Sequence, residues 1–363
     1  MKKLKEILYK VAIEGISGST EVAVTDISFD SRKVNKGTMY VAIKGTQHDG
    51  HQYIEQAVAS GAQSVLCEIL PQQRSAGVVY IQVEDSKEAL GWVAANYFDN
   101  PSRELTLIGI TGTNGKTSIA SMLYELFRTS PSPSGLISTV AIQYGDLYYP
   151  ATHTTPDPVS INQHLSAMVN LGIENCFMEV SSHGIHQRRI SGLEFDGAVF
   201  TNLTHDHLDY HKTFKAYRDT KKILFDSLSK SAFALVNADD KNGKFMLQNC
   251  KGKTHTYALH TLADFSAQIM ENQFKGMLLK IDQKEVWTQL VGEFNAYNLL
   301  AVFSVAQLLG KDPWETLKSI SQLQSVKGRF QTFESSGKVM IVIDYAHTPD
   351  ALKNVMLTIT KIR

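Results

Sequence analysis

The sequence holds three cysteines in 363 residues, Cys67, Cys176 and Cys250, and none forms a CxxC pair. That excludes a disulfide framework and a cysteine-based zinc cage, and makes a reducing, cytoplasmic setting the default expectation. Net charge is missing too, because 36 Lys and Arg balance 36 Asp and Glu. A nucleic-acid binder held by bulk charge is therefore disfavoured, whereas a local basic pocket for a small polyanion is not. No apolar run approaches the ~18 residues of a membrane span. The N-terminus, MKKLKEILYKVAIEG, is basic but has no long apolar stretch, since Lys5, Glu6 and Lys10 interrupt it. Leu4, Ile7, Leu8 and Val11 keep helical spacing, so a small amphipathic helix is expected there rather than a signal peptide.

What is present is globular: 43% of residues are hydrophobic and 20% charged. At about 150 residues per domain, the length implies two to three domains. Strand-like runs at Val22–Ser28, Met39–Ile43, Val65–Cys67 and Val78–Val83 alternate with helical patterns at Tyr53–Ser60 and Lys87–Tyr97. They suggest a small α/β domain over residues 1–98, closed by the turn cluster Asp99-Asn100-Pro101-Ser102. Apolar strands follow at Leu105–Ile110, Cys176–Val180, Ala198–Thr201 and Phe233–Val236, separated by helices, which predicts a mostly parallel, helix-covered sheet in a second domain, 99–333. Residues 252–290 read as short strands and turns, and Phe294–Leu309 as a strong helix. One further strand, Val339–Ile343, and a helix capped by Thr348 with Pro349 at its first position read as the beginning of a third domain, 334–363.

The first chemical signal is the loop between the strand ending at Ile110 and the helix starting at Lys116. Gly112, Gly115, Lys116 and Thr117 form the end of a P-loop, although Gly112 and Gly115 are closer than the usual spacing. Glycines let backbone N–H groups approach phosphate oxygens, and a helix N-terminus favours anions. Lys116 then reaches the β/γ-phosphates and the Thr117 hydroxyl ligates Mg²⁺. The bland alternative is an ordinary strand–helix turn with a surface lysine. Nucleotide binding by itself does not name a reaction.

The second signal is the polar density of residues 179–221, which holds five of the twelve histidines. Glu179 ends an apolar strand, where α/β sheets bind ligands, and a carboxylate there suits Mg²⁺. His205-x-His207-x3-His211 could be a zinc site, but no cysteine joins it and a phosphate-loop protein calls for hard-cation ligands. His205 and His211 serve equally well as capping or hydrogen-bonding residues.

Seven motifs in one order then resemble a known family: ITGTNGKTS (110–118), HTTPDP (153–158), EVSSHG (179–184), TNLTHDHLDYH (201–211), GEFNAYN (292–298), GRF (328–330) and DYAHTPD (344–350). The series resembles the Mur ligases of the MurE type, which add the third peptide residue to the peptidoglycan precursor UDP-MurNAc-L-Ala-D-Glu. FDSRKV (29–34), GTMYVAIKG (37–45), DGHQYI (49–54) and ASGA (59–62) resemble that type's UDP-binding domain, so the likeness covers essentially the whole chain.

The resemblance implies an ATP-dependent amide-bond ligase. ATP phosphorylates the terminal carboxylate, and the amine of diaminopimelate or lysine attacks the acyl phosphate. Positioning and charge neutralisation carry such a reaction. By resemblance, Gly112, Thr113, Asn114, Gly115, Lys116, Thr117 and Ser118 bind ATP, with Asn295 at the adenine and Arg329, Asp344 and His347 at a hinge to the third domain. Asn298 either assists or is a helix-surface residue. Thr117 and Glu179 hold Mg²⁺, and His207 holds a second one. Lys221 falls where the family has a lysine carbamylated by CO₂; Lys222 leaves a one-residue ambiguity, although the spacing from His207 favours Lys221. Lys116, Lys221 and His207 are thus the catalytic candidates. For the UDP-precursor the matching positions are Ser31, Thr46, Gln47, His48, Thr154, Thr155, Ser181, Gln187 and Arg189, with Arg188 an equally basic neighbour.

The α/β class, the cytoplasmic setting, a monomeric state and the absence of nucleic-acid or membrane partners complete the expectation. Members of this type continue through a C-terminal Rossmann-like domain that selects the amino acid. The present chain is expected to hold only its beginning, and so to be inactive or nearly so in ligation while keeping affinity for nucleotide and UDP-precursor. The rival readings are the pathway's dipeptide-adding ligase, a folylpolyglutamate-type ligase, and a P-loop regulatory module. Glu179, His207 and Lys221 speak against the last, because a switch has no need of a second metal cluster.

Overall fold

The structure, a computed structural model, describes residues 1–45, 48–128, 133–335, 339–347 and 349–362. It divides into two compact units, each discontinuous in sequence. The first comprises Met1–Glu104, Pro156–Asn170 and His186–Leu193. The second comprises Leu105–Thr155, Leu171–Ile185 and Glu194–Arg363. Contiguous boundaries at 98 and 333 do not anticipate that the chain returns twice to its first unit.

In the first unit, strands Ile13–Ser17, Val79–Val83, Ser64–Cys67, Thr38–Val41 and Asp26–Ser28 lie side by side in that order. The first pairing is antiparallel and the rest are parallel. Helix Ser86–Tyr97 begins on Asp85, whose carboxylate accepts the N–H groups of Lys87 and Glu88. Helix Pro158–Asn170 packs against it. The expected N-terminal helix is shorter than its periodicity suggests. Leu4, Ile7, Leu8 and Val11 are buried as the spacing predicts. Helix, however, spans only Leu4–Ile7, because Lys2–Lys3 pair with Ala23–Val24 and Lys10 turns the backbone at φ 61°. Sheet pairing has overridden a marginal helix.

In the second unit the described residues form an eleven-stranded sheet. Its centre is Thr106–Thr111, flanked in parallel by Asn175–Glu179 and Gly197–Phe200. Parallel pairing extends outward to Ser134–Ile137 on one side and to Phe233–Asn237, Lys253–Ala258 and Phe265–Gln273 on the other. Antiparallel strands close both edges. The central strands are buried along their length, which is why they read as continuous apolar runs. Helices Lys116–Arg128 and Glu293–Leu308 pack in the core beside the sheet, and the second is apolar nearly all round because it is enclosed. The strand and helix expected at the end are present as Met340–Ile343, paired antiparallel with Gln331–Glu334, and Pro349–Ile362. The Thr348 cap lies outside the described residues. No helix among the described residues is long and apolar enough to cross a membrane.

Two side chains anchor this unit. Phe177 is fully buried, its ring centroid 5.1 Å from that of Phe127. Asp239 accepts the N–H groups of Leu259, His260 and Thr261 at 2.8, 3.0 and 2.9 Å and the Tyr297 hydroxyl at 2.8 Å, fastening a loop to helix Glu293–Leu308. Burial would raise the Asp239 pKa, but these hydrogen bonds outweigh it and hold the carboxyl at about 2. Phe177→Ala is expected to lower unfolding free energy by about 3–5 kcal/mol, seen as a lower denaturant midpoint at unchanged slope. The depressed Asp239 pKa stabilises the fold fully above the unfolded value of about 4, and that contribution is lost as pH falls through about 2. The stability gap between wild type and Asp239→Asn, followed by chemical denaturation from pH 7 to pH 2, should therefore close at the acid end.

Candidate active site

The site lies at the C-terminal ends of the central parallel strands of the second unit. Strand Thr106–Thr111 runs into the loop 112–115, and helix Lys116–Arg128 starts directly after it. Two glycines make the turn possible. Gly112 sits at φ 150°, where a Cβ would overlap the Thr201 hydroxyl, and Gly115 at φ 89°, where a Cβ would lie 2.7 Å from Asn298 Oδ1. The neighbouring strand end clamps the loop. Asn202 accepts the Asn114 N–H at 3.0 Å through its side chain and the Thr113 N–H at 2.8 Å through its carbonyl. Thr201 donates to the Asn114 carbonyl at 2.6 Å.

Charge is concentrated here. The Lys116 ammonium donates to the carbonyls of Gly112 at 3.0 Å and Thr113 at 2.8 Å, and Lys221 donates to the same Gly112 carbonyl at 2.9 Å. Lys221 is 1% exposed. Burial, reinforced by the charge of Lys116, pushes its pKa well below the ordinary lysine range. Burial also lowers Lys116, against the attraction of Glu179. Glu179 is fully buried and its pKa is raised by that burial, with Lys116 opposing. Its carboxylate accepts the Thr117 hydroxyl at 3.1 Å and, from Thr139, the N–H at 2.7 Å and the hydroxyl at 3.2 Å. Arg329 donates to the Thr117 hydroxyl at 3.0 Å. Phosphate-loop lysine, Thr117, Glu179 and Arg329 thus form one connected group.

His207 adopts a left-handed backbone at φ 53°, and its ring lies 4.8 Å from that of His183. Burial lowers its pKa, which favours the neutral, ligating imidazole. Lys221 and Lys222 point to different partners. Lys222 turns away from the loop to Asp226 and, at 2.5 Å, the Gln248 carbonyl. His205 packs on Phe214 and His211 on Tyr217. Among the described residues no three His, Cys, Asp or Glu converge as a metal cage, so the three-histidine zinc motif finds no support.

The remaining candidates are dispersed. Asn295 is buried, donates to the Val291 carbonyl at 2.9 Å and accepts from Asn298 at 3.3 Å. Asn298 is also buried and adjoins Gly115, so it is not a helix-surface residue. Asp344 accepts the N–H groups of Phe330 and Ala346, both at 2.7 Å, and His347 pairs with the Tyr345 carbonyl at 2.9 Å. Thr155 donates to the Glu179 carbonyl at 2.9 Å and its hydroxyl lies 3.1 Å from that of Ser181, while the Thr154 and Thr139 hydroxyls lie 3.0 Å apart. In the first unit, Ser31 reaches Gln56 at 3.4 Å, His48 is exposed, and Arg189 donates twice to Gln187, at 3.1 and 2.7 Å. Arg188 pairs with Asp85 and Glu88 at 3.4 and 3.6 Å. Thr46 and Gln47 lie outside the described residues. Sequence reasoning missed Thr139, Thr201 and Asn202 as site residues. Only the last two carried a signal, as the polar start of 201–211.

Family comparison bears on this geometry. The description "Mur ligase middle domain" matches residues 110–306, and "Mur ligase family, catalytic domain" matches residues 23–98. The UDP-N-acetylmuramoyl-L-alanyl-D-glutamate--2,6-diaminopimelate ligase of Cytophaga hutchinsonii is 49% identical over 362 residues, covering 99% of this chain and 74% of that protein. The ligase of the same name from Bacteroides fragilis is 50% identical over 354 residues, covering 98% and 73%. A solved structure of a ligase of that name superposes with a TM-score of 0.83 at 29% identity, covering 99% of this chain and 74% of that one.

The loop geometry makes a direct prediction. Gly112→Ala is expected to weaken binding of a fluorescent ATP analogue by at least ~10-fold, because the added methyl group must displace Thr201. Gly145→Ala, at φ 55° with open space around it, should leave affinity unchanged in the same titration.

Proposed function

The chain belongs to the Mur ligase family, and from that premise we propose that it joins diaminopimelate to UDP-MurNAc-L-Ala-D-Glu at the expense of ATP, through an acyl phosphate. The observation that carries the proposal is the juxtaposition of Lys116 and Lys221 on the Gly112 carbonyl with the Thr117–Glu179 pair, which starts at the next residue of the helix. Such a site offers cationic amines for anionic oxygens and hard oxygen donors for a cation, the chemistry that nucleotide phosphates with Mg²⁺ require.

In this reading Lys116 and the N–H groups of 112 and 115–118 hold the β- and γ-phosphates, while Asn202, which accepts the N–H groups of Thr113 and Asn114, keeps the loop in shape before the ligand arrives. Thr117 and Glu179 hold one Mg²⁺, and His207 with carbamylated Lys221 holds a second. When bound, the metal ions supply charge neutralisation for the transferring phosphoryl group. Arg329 supplies a further cation over Thr117. Lys221 suits carbamylation because its buried amine is held towards the neutral form. Asn295, Asn298, Asp344 and His347 take the nucleoside end. Thr154, Thr155 and Ser181 in one unit, and Ser31, Thr46, Gln47, His48, Gln187 and Arg189 in the other, bind the UDP-precursor. The Arg189 fork, steadied by Gln187, suits a diphosphate or carboxylate. The enzyme is taken to be cytoplasmic and monomeric.

Assayed on the full-length gene product, ADP formation should require UDP-MurNAc-L-Ala-D-Glu and run at least ~100-fold faster with diaminopimelate than with lysine or ornithine. Lys116→Ala should cost at least ~10³-fold in kcat. ADP release indifferent to the UDP-precursor would overturn the assignment.

A further inference from the structure

We propose that Tyr217 is a positioning residue, whose hydroxyl ties the helix bearing Lys221 to the phosphate loop and so holds the Lys221 amine where carbon dioxide can carboxylate it. The inference rests on the carbamate reading of Lys221 given above. Tyr217 and Lys221 lie four residues apart on helix Phe214–Asp226, and therefore on one face. Tyr217 is 1% exposed, and its oxygen lies 3.1 Å from Thr113 Oγ1. Its ring stands 4.7 Å beneath the Lys221 Nζ, and its centroid lies 6.1 Å from that of His207.

The helix has two polar ties to the loop in this region, Lys221 to the Gly112 carbonyl and Tyr217 to the Thr113 hydroxyl. The first uses the reacting nitrogen. On carboxylation the neutral amine attacks the carbon of CO₂, an N–C bond forms, one C=O π pair moves to oxygen, and one N–H proton leaves to water. The product nitrogen keeps a single N–H and carries an anionic carboxylate, so its bond to Gly112 cannot hold the helix in place unchanged. The Tyr217–Thr113 bond is untouched by this chemistry. Thr113 Oγ1 also accepts the Thr204 N–H at 3.0 Å, so loop, strand-end segment and helix meet at one oxygen. This tie keeps Lys221 aimed as its own bond changes.

Carbon-13 NMR of the purified full chain in ¹³C-bicarbonate reads carbamate occupancy with neither nucleotide nor precursor present. Wild type should show a carbamate resonance that is absent from Lys221→Ala. Tyr217→Phe, which keeps the ring and its packing, should need about tenfold more bicarbonate for equal occupancy, the effect of losing one buried hydrogen bond. Thr113→Val breaks the same bond from the other side and should shift occupancy alike, with no further shift in the double variant. Equal occupancy in wild type and both single variants overturns the proposal while leaving the carbamate intact. A wild-type protein with no Lys221-dependent resonance overturns the carbamate reading, and the inference with it.

Discussion

Negative charge is scarce at the head of the phosphate loop. Two lysines converge on the single carbonyl of Gly112, with Arg329 on the adjoining Thr117, and Glu179 and Asp206 are the acids that act on them. A backbone carbonyl carries only partial charge and cannot satisfy both the buried Lys221 and the half-buried Lys116. The structure meets this by driving the lysines towards neutrality, most strongly Lys221. The same shortage makes the place receptive to anions, whether phosphates from outside or a carboxylate built on Lys221 itself.

The parallel sheet imposes this arrangement. Glu179 pairs in register with Ile110, and Phe200 with Thr111, so the strands bearing the acid, the loop and the clamp end at one level. Open parallel sheets present their ligands at that edge. The desolvation cost of carrying Glu179 at full burial is offset by three directed donors from Thr117 and Thr139. Rigidity comes from the Asn202 clamp and from the enclosed helix Glu293–Leu308, which brings Asn298 up against Gly115.

Much of this was legible in the chain. Periodicity located the central strands and the long helices, because a fully buried parallel strand must read as an unbroken apolar run. The phosphate loop and Glu179 were legible from residue type and order, and Lys221 was singled out only through the family resemblance. Other features were not. The one-turn helix at Leu4–Ile7 had the pattern of a longer one, but strand pairing with Ala23–Val24 and the turn at Lys10 were stronger. The return of 156–170 and 186–193 to the first unit leaves no local signature, since packing partners far apart in sequence decide it.

Sequence by itself determined the family, the order of the motifs and the identity of the charged groups, because those depend on residue type and spacing alone. Tertiary structure alone decided which of two adjacent lysines faces the loop. Lys221 and Lys222 are chemically identical, and about 100° of helical rotation sends one to Gly112 and the other to Asp226 and Gln248. It also lowered the Lys221 pKa, because that shift comes from burial and from the approach of Lys116, 105 positions earlier in the chain. Thr139 and Tyr217 acquired their places the same way, through contacts that only the folded sheet brings within hydrogen-bond range.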